Sequence, residues 1–70
     1  MGRKISYEPF FRTLKEKNIS TYRIFKLGLN STTYYRIKDG ESVTIETIRH
    51  ICEILDCDVS DVVECIEIQE

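Results

Sequence analysis

Four neighbouring side chains carry hydrogen-bonding groups whose spacing could serve recognition: Ser31, Thr32, Tyr35 and Arg36. If this stretch is helical, a rotation of about 100° per residue places Tyr34 and Ile37 on one side. Thr32 and Arg36 then point almost directly away from them. Hydroxyl and guanidinium groups near the start of a helix are suited to reading base edges in the major groove of duplex DNA. The same composition also fits an ordinary solvent-exposed helix face.

These residues would belong to the second of two short helices. The first is predicted over Thr21 to Leu27. Ser20 suits its N-cap, because the hydroxyl can accept a hydrogen bond from a free amide of the first turn. Gly28 is expected to end it, since glycine adopts the left-handed conformation without a Cβ penalty, and Leu29 can then enter the core.

The second helix is predicted from Ser31 to Lys38. Asn30 is placed to cap its N-terminus, and Asp39 followed by Gly40 supplies a stop. Two caps and two glycine stops within the stretch Ser20 to Gly40, called the motif below, predict a helix-turn-helix.

Three further helices are predicted around the motif. One runs from about Pro9 to Lys17, where a proline in the first turn costs no hydrogen bond. Another follows a Thr44 cap and ends near Asp56, and a short last helix begins at a Ser60 cap. The apolar side chains expected in the core from these helices and the first motif helix are Phe10, Phe11, Leu14, Ile24, Leu27, Ile45, Ile48, Ile51, Cys52, Leu55, Val62 and Val63.

Both ends of the chain alternate apolar and polar residues, which allows a short strand at each. The first is the tripeptide Ile5 to Tyr7, and the second is the tail Cys65 to Glu70. In the tail, Ile66 and Ile68 fall on one side, and Glu67 and Gln69 fall on the other. The two segments could pair with each other, or the tail could pair with another subunit.

The motif resembles the helix-turn-helix of the Cro/C1-type (XRE) phage and bacterial repressors. The matching positions are Ser20, Gly28, Leu29, Asn30, Thr33, Tyr34, Ile37 and Gly40. The segment VTIETIRHICEILDCDVSDVVE is similar to the family's fourth and fifth helices, so the resemblance covers nearly the whole chain. It implies a single all-α domain over residues 1–70, built as a compact five-helix bundle of the lambda-repressor-like type.

The chain departs from the family pattern at four places. The first motif helix is one residue short between cap and glycine, and Ile24 or Phe25 stands where a small residue is usual. Tyr34 occupies a position where an aliphatic residue is common, and Lys38 replaces a frequent glutamate. These differences affect the register of the first motif helix more than the turn or the second helix.

The resemblance implies sequence-specific binding of double-stranded DNA by a repressor-like transcriptional regulator, with the second motif helix in the major groove. The residues that would then read bases are Ser31, Thr32, Tyr35 and Arg36. Thr21 and Arg23 would contact phosphates near the start of the motif, and Lys38 would do so near its end. Tyr35 could take either role. A homodimer on DNA is expected, without a cofactor, a metal or a small-molecule effector.

Charge divides the chain into two opposite halves. Residues 1–40 hold nine Lys or Arg against three Asp or Glu, a net charge of +6, whereas residues 41–70 hold one against nine, a net charge of −8. One end of the molecule would therefore attract a polyanion while the other is repelled, which favours approach to DNA in one orientation. A lopsided but merely solubilising surface would show the same numbers.

Other function classes have little support in the sequence. Seventy residues make one small domain that buries about 60% of its unfolded surface. No apolar run could span a membrane and no signal peptide is apparent, so a cytoplasmic location is expected. Cys52, Cys57 and Cys65 lack metal-site spacing, and His50 has no partners for catalysis, so an enzyme is not expected. The alternative to DNA binding is a protein-interaction module, such as an antirepressor or an antitoxin-like partner, that docks through the acidic half or the tail.

Overall fold

The structure, a computed structural model, describes residues 2–68 and contains four α-helices, one 3₁₀ turn and a two-stranded sheet. In chain order the elements are β1 (Gly2–Ser6), α1 (Glu8–Glu16), α2 (Thr21–Lys26), α3 (Ser31–Lys38), α4 (Ile45–Leu55), the 3₁₀ turn (Val59–Asp61) and β2 (Glu64–Ile68). The predicted alternation at Gln69 and Glu70 lies outside the described residues. Within residues 2–68, no helix is long and apolar enough to cross a membrane.

Three helix starts are fixed by the predicted caps. Ser20 accepts a hydrogen bond from the amide three residues on at 3.1 Å, and Asn30 accepts one from the amide two residues on at 2.8 Å. Thr44 accepts one from the amide three residues on at 3.1 Å. Each bond satisfies an amide that the helix itself leaves free, so the starts of α2, α3 and α4 follow from local sequence.

Every helix contributes to one hydrophobic core. Its fully buried side chains include Phe10 of α1, Ile24 of α2, Ile37 of α3, Ile51 of α4 and, after the 3₁₀ turn, Val62. Three of the predicted core residues, Phe11, Cys52 and Val63, are half-buried and pack against it. The core therefore holds the motif against α1 and α4.

Two predicted core positions are wrong. Leu27 is 42% exposed because α2 ends at Lys26 and Leu27 is its C-cap, so Leu29, only 4% exposed, fills the interior instead. Ile45 is 86% exposed. It is the first residue of α4, and side chains in a helix tilt toward the N-terminus, which directs this one beyond the helix end.

The predicted fifth helix is also wrong, since the chain forms a single 3₁₀ turn over Val59–Asp61. Asp58 precedes the turn instead of Ser60, and its amide donates to Asp61 Oδ2 at 3.1 Å. Because β2 begins at Glu64, the chain has no room for a longer helix. The five-helix count is thereby corrected to four α-helices and this turn.

The two chain ends pair with each other, which corrects the all-α assignment. Strands β1 and β2 are antiparallel, with Ile5 opposite Cys65 and Gly2 opposite Ile68. Of the tripeptide that could form a strand or an extended lead-in, Tyr7 lies outside β1; it directly precedes α1 and is buried. Most other strand residues are exposed, so the sheet lies at the edge of the helical body.

Candidate nucleic-acid interface

The turn between α2 and α3 is built around Gly28. Its φ of +119° lies in the region that favours glycine, so a side chain at this position would be strained. The next residue, Leu29, is buried and its amide donates to the Ile24 carbonyl at 3.2 Å. Buried Leu29 therefore anchors the chain in the core just before α3, and the Asn30 cap sets where the helix begins.

Helix α3 has one buried side and one exposed side. Tyr34 and Ile37 are 7% and 1% exposed, as the helical rotation predicts. Opposite and beside them, the predicted DNA-contacting residues of α3 are all exposed: Ser31, Thr32, Tyr35, Arg36 and Lys38. The structure thus brings together, on one helix surface, every α3 residue that the sequence singled out.

Arg36 extends from α3 toward the loop that follows it. Its Nη1 donates to the Ser42 carbonyl at 3.4 Å, a long hydrogen bond that is open to solvent. A guanidinium has five N–H donors, so most of them stay available to another acceptor. The bond was not foreseen from the sequence, because it depends on how the loop turns back beside the helix.

Tyr35 is held by its aromatic neighbours while remaining 51% exposed. Its ring centroid lies 5.2 Å from that of Tyr34 and 6.5 Å from that of Phe25. The contact with Tyr34 is edge-to-face and that with Phe25 is tilted, and together they orient the ring, so the exposed part of Tyr35 is presented in a preferred direction. Either predicted role, base reading or phosphate contact, is compatible with this placement.

The start of α2 contacts α3 through the side chain of Thr21. Thr21 and Arg23 are both exposed, and the Thr21 hydroxyl lies 3.2 Å from the hydroxyl of Tyr34. This contact joins the two motif helices. Tyr34 is one of the departures from the family pattern, but the sequence does not indicate what its phenol contacts.

Helix α2 also exposes an aromatic residue, Tyr22. Tyr22 is 69% exposed, and Lys26 Nζ lies 5.3 Å above its ring centre. The i, i+4 spacing of these two residues could have signalled the contact, because residues four apart share a helix face. With Arg23, they extend the basic surface along α2.

The other side chains that could do chemistry are the three cysteines and His50. Within residues 2–68, no group of three or more His, Cys, Asp or Glu residues is placed to hold a metal ion. The three cysteines are free thiols, and burial raises the pKa of Cys57 to about 11, with further contributions from Cys52 and Asp61. His50 lies behind the motif, with Nε2 3.4 Å from the Gly28 carbonyl.

A comparison with known protein families identifies the family of this domain. The family model of the Cro/C1-type helix-turn-helix DNA-binding domain matches residues 12–67, which include all of α2, α3 and α4. The chain belongs to the Cro/C1-type family. No curated protein matches it significantly.

A solved structure supports the same fold. The crystal structure of the transcriptional regulator VanUg, form II, superposes with a TM-score of 0.81 at 24% sequence identity. The alignment covers 94% of this chain and 89% of the other. This Cro/C1-type domain is therefore similar to VanUg over nearly its full length, although at this identity the likeness concerns the fold.

Proposed function

We propose that this Cro/C1-type domain is a sequence-specific, repressor-like transcriptional regulator that binds double-stranded DNA with α3 in the major groove. The observation that carries this proposal is the exposed face of α3, which holds polar side chains at its first two positions. An α-helix fits the width of the major groove, and the N-terminal part of such a helix reaches the base edges. Tyr34 and Ile37 anchor the opposite side in the core.

Base readout is assigned to Ser31, Thr32 and Arg36, with Tyr35 able to reach either a base or a phosphate. The hydroxyls can donate or accept, so they suit several bases, whereas a guanidinium bonds both major-groove acceptors of guanine. In the free protein, Arg36 gives up only a long, solvent-exposed bond to Ser42 when it turns to a base. The cost of this rearrangement is accordingly small.

Phosphate contact is assigned to Thr21 and Arg23 at the start of α2 and to Lys38 at the end of α3. These residues flank the readout surface and are exposed. Contacts to phosphates fix the register of the protein on the duplex and supply most of the affinity, but they do not choose the sequence. Neither motif helix has an acidic residue in its first turn to repel the backbone.

A homodimer on DNA is part of the proposal, with no cofactor or small-molecule effector required. Two exposed apolar side chains, Ile5 and Ile45, line an open cavity of about 390 Å³. Gly40 and Ser42, in the loop after α3, line it too. Contact between two copies here would fix the relative positions of their α3 helices, and binding to successive major grooves requires those helices to lie about 34 Å apart.

The dimer is tested with one variant and a matched control. Ile45→Glu places a charge in the proposed contact, whereas Val59→Glu places one at a different exposed apolar residue, 56% accessible, on the 3₁₀ turn. Ile45→Glu should reduce cooperative occupation of two half-sites and leave single half-site binding intact. Val59→Glu should change neither. The dimer would be contradicted if the unsubstituted protein sedimented as a monomer and footprinting showed that it covers a single half-site.

The function itself is tested by selecting bound duplexes from random DNA and titrating the selected sequence over a salt series. We expect the logarithm of the binding constant to fall with the logarithm of salt by about 0.9 for each phosphate neutralised. The selected duplex should bind more tightly than a scrambled one at every salt concentration. No binding at low salt would favour the alternative, a protein-interaction module that docks through the acidic half.

A further inference from the structure

The hydroxyl of Tyr34 has an unusual position for a residue of the core. Its ring is buried and lies edge-to-face with four aromatic rings, those of Phe10, Phe11, Phe25 and Tyr35, at centroid distances of 5.2 to 6.3 Å. These neighbours come from α1, α2 and α3, so the ring position is over-determined. The phenol oxygen nevertheless reaches the Thr21 hydroxyl, which belongs to an exposed residue at the first position of α2.

We propose that Tyr34 is a positioning residue that orients the Thr21 hydroxyl toward a DNA phosphate and so couples the two motif helices at the interface. A phenol donates a hydrogen bond more readily than an aliphatic alcohol does. Within this pair, the Tyr34 hydroxyl therefore donates to Thr21 Oγ1. Thr21 keeps its own proton for an outside acceptor, and phosphate oxygens are acceptors only.

The arrangement has two physical consequences. A hydroxyl that already accepts one hydrogen bond is a better donor of the next, because hydrogen bonds in a chain polarise one another. The Thr21 side chain is also restricted before DNA arrives, so less rotamer freedom is lost on binding. An aliphatic residue at position 34, as is common in the resembling family, would fill the core but could supply neither effect.

The inference rests on the proposed DNA binding and is tested by a double-mutant cycle. Tyr34→Phe removes only the phenol oxygen and keeps the ring, and Thr21→Val removes the hydroxyl at nearly constant shape. Each substitution should weaken binding about three- to tenfold per subunit, equally on selected and scrambled duplexes. Because no charge is lost, the salt slope should not change. The double variant should bind no more weakly than Thr21→Val alone.

Two controls separate positioning from stability. Thr21→Ser retains the hydroxyl, so it should bind as tightly as the unsubstituted protein. Adding Tyr34→Phe to this variant should still weaken binding. Thr13→Val removes a buried hydroxyl that donates to the Asp61 carbonyl at 2.7 Å, away from the motif. It should lower the thermal midpoint without changing the affinity of the folded protein.

Each outcome decides the matter. Unchanged affinity in Tyr34→Phe, or losses from the two substitutions that simply multiply, would overturn the positioning role while the proposed function stands. Failure of the unsubstituted protein to bind any duplex at low salt would overturn both. If Tyr34→Phe were poorly folded by circular dichroism, Thr21→Val measured alone would still decide, since unchanged affinity in that variant excludes a Thr21 phosphate contact.

Discussion

The two charged halves of the molecule use their cations differently. In the described part of the chain, the only ion pairs join Arg49 of α4 to Glu46 and Glu53. Arg49 is the single cation of residues 41–70, and it is occupied on both sides by carboxylates from its own helix. In the motif, Arg23, Arg36 and Lys38 are exposed and belong to no such pair.

Pairing shifts the pKa values of both Glu46 and Arg49. Hydrogen bonding to Arg49 lowers the pKa of Glu46, and the same contact raises the pKa of the Arg49 guanidinium. Both groups are fully exposed, so the pairs contribute little to stability. The number of charges is therefore a poor guide to function here. The lone cation of the acidic half is held by carboxylates of α4, whereas the cations of the motif remain available to an external anion.

The largest expected effect on binding comes from Arg36→Ala. The substitution should cost about 1–3 kcal/mol on the selected duplex, because a bidentate contact to guanine is lost. It should also relax the choice of base at one position of the site. Affinity for selected and scrambled duplexes, measured over the same salt series, gives both quantities.

The competing role for Arg36 is a phosphate contact, since its long side chain already reaches the Ser42 carbonyl. In that case Arg36→Ala would lose the same factor on both duplexes. Such a result would remove Arg36 from the base readers and leave Ser31, Thr32 and Tyr35 to choose the sequence.

A smaller and different effect is expected from Lys38→Ala. The side chain lies at the end of α3, where a lysine contacts a phosphate as a point charge, so affinity should fall almost equally on all sequences. The salt slope should become shallower by about one unit. A loss confined to the selected duplex would instead show that Lys38 reads a base. The proposed division between a base-reading Arg36 and a phosphate-binding Lys38 would then be wrong.

The parts of the molecule that sequence predicted well are those decided by local chemistry. The caps at Ser20, Asn30 and Thr44 each need only a side-chain oxygen and an amide two or three residues away. The buried face of α3 follows from helical rotation, which requires no knowledge of its neighbours. The exposure of the predicted contact residues of α3 follows from the Asn30 cap and from the same helical rotation.

The parts that failed depend on distant partners. Ile45 fitted the apolar stripe of α4, yet its place at the helix start leaves it 86% exposed. The last predicted helix was shortened because β2 must begin at Glu64 to pair with β1. Likewise, the Tyr34 contact with Thr21 depends on how α2 and α3 cross. Local patterns carry no information about such juxtapositions.

Arg49→Ala should have almost no effect on DNA binding. Removing this cation leaves affinity and salt slope unchanged if it serves only α4. The acid response should change, however. The lowered pKa of Glu46 contributes stability that is present above its ordinary value of 4.5 and is lost as the pH falls through the folded value. Thermal unfolding at pH 7 and pH 3 should therefore differ less in Arg49→Ala than in the unsubstituted protein.

The packing of the acidic half is probed by the alkylation of its cysteines. Burial, Cys52 and Asp61 raise the pKa of Cys57 from 9.0 to about 11. At pH 9 a thiol with this pKa is about 1% ionised, and iodoacetamide reacts with the thiolate, so it should modify half-buried Cys57 much more slowly than exposed Cys65. Mass spectrometry of timed samples measures both rates, and the chain unfolded in urea should show no difference.

The same experiment separates burial from the acidic surroundings of Cys57. The folded protein holds its proton more tightly, so this thiol contributes stability below pH 9 that is lost as the pH rises toward 11. Asp61→Asn removes a nearby carboxylate and retains an oxygen that can still accept from the Asp58 amide. Because burial is the larger cause, the variant should speed the modification of Cys57 only slightly. A rate equal to that of Cys65 would show that the negative charge of this half, and not its packing, controls the thiol.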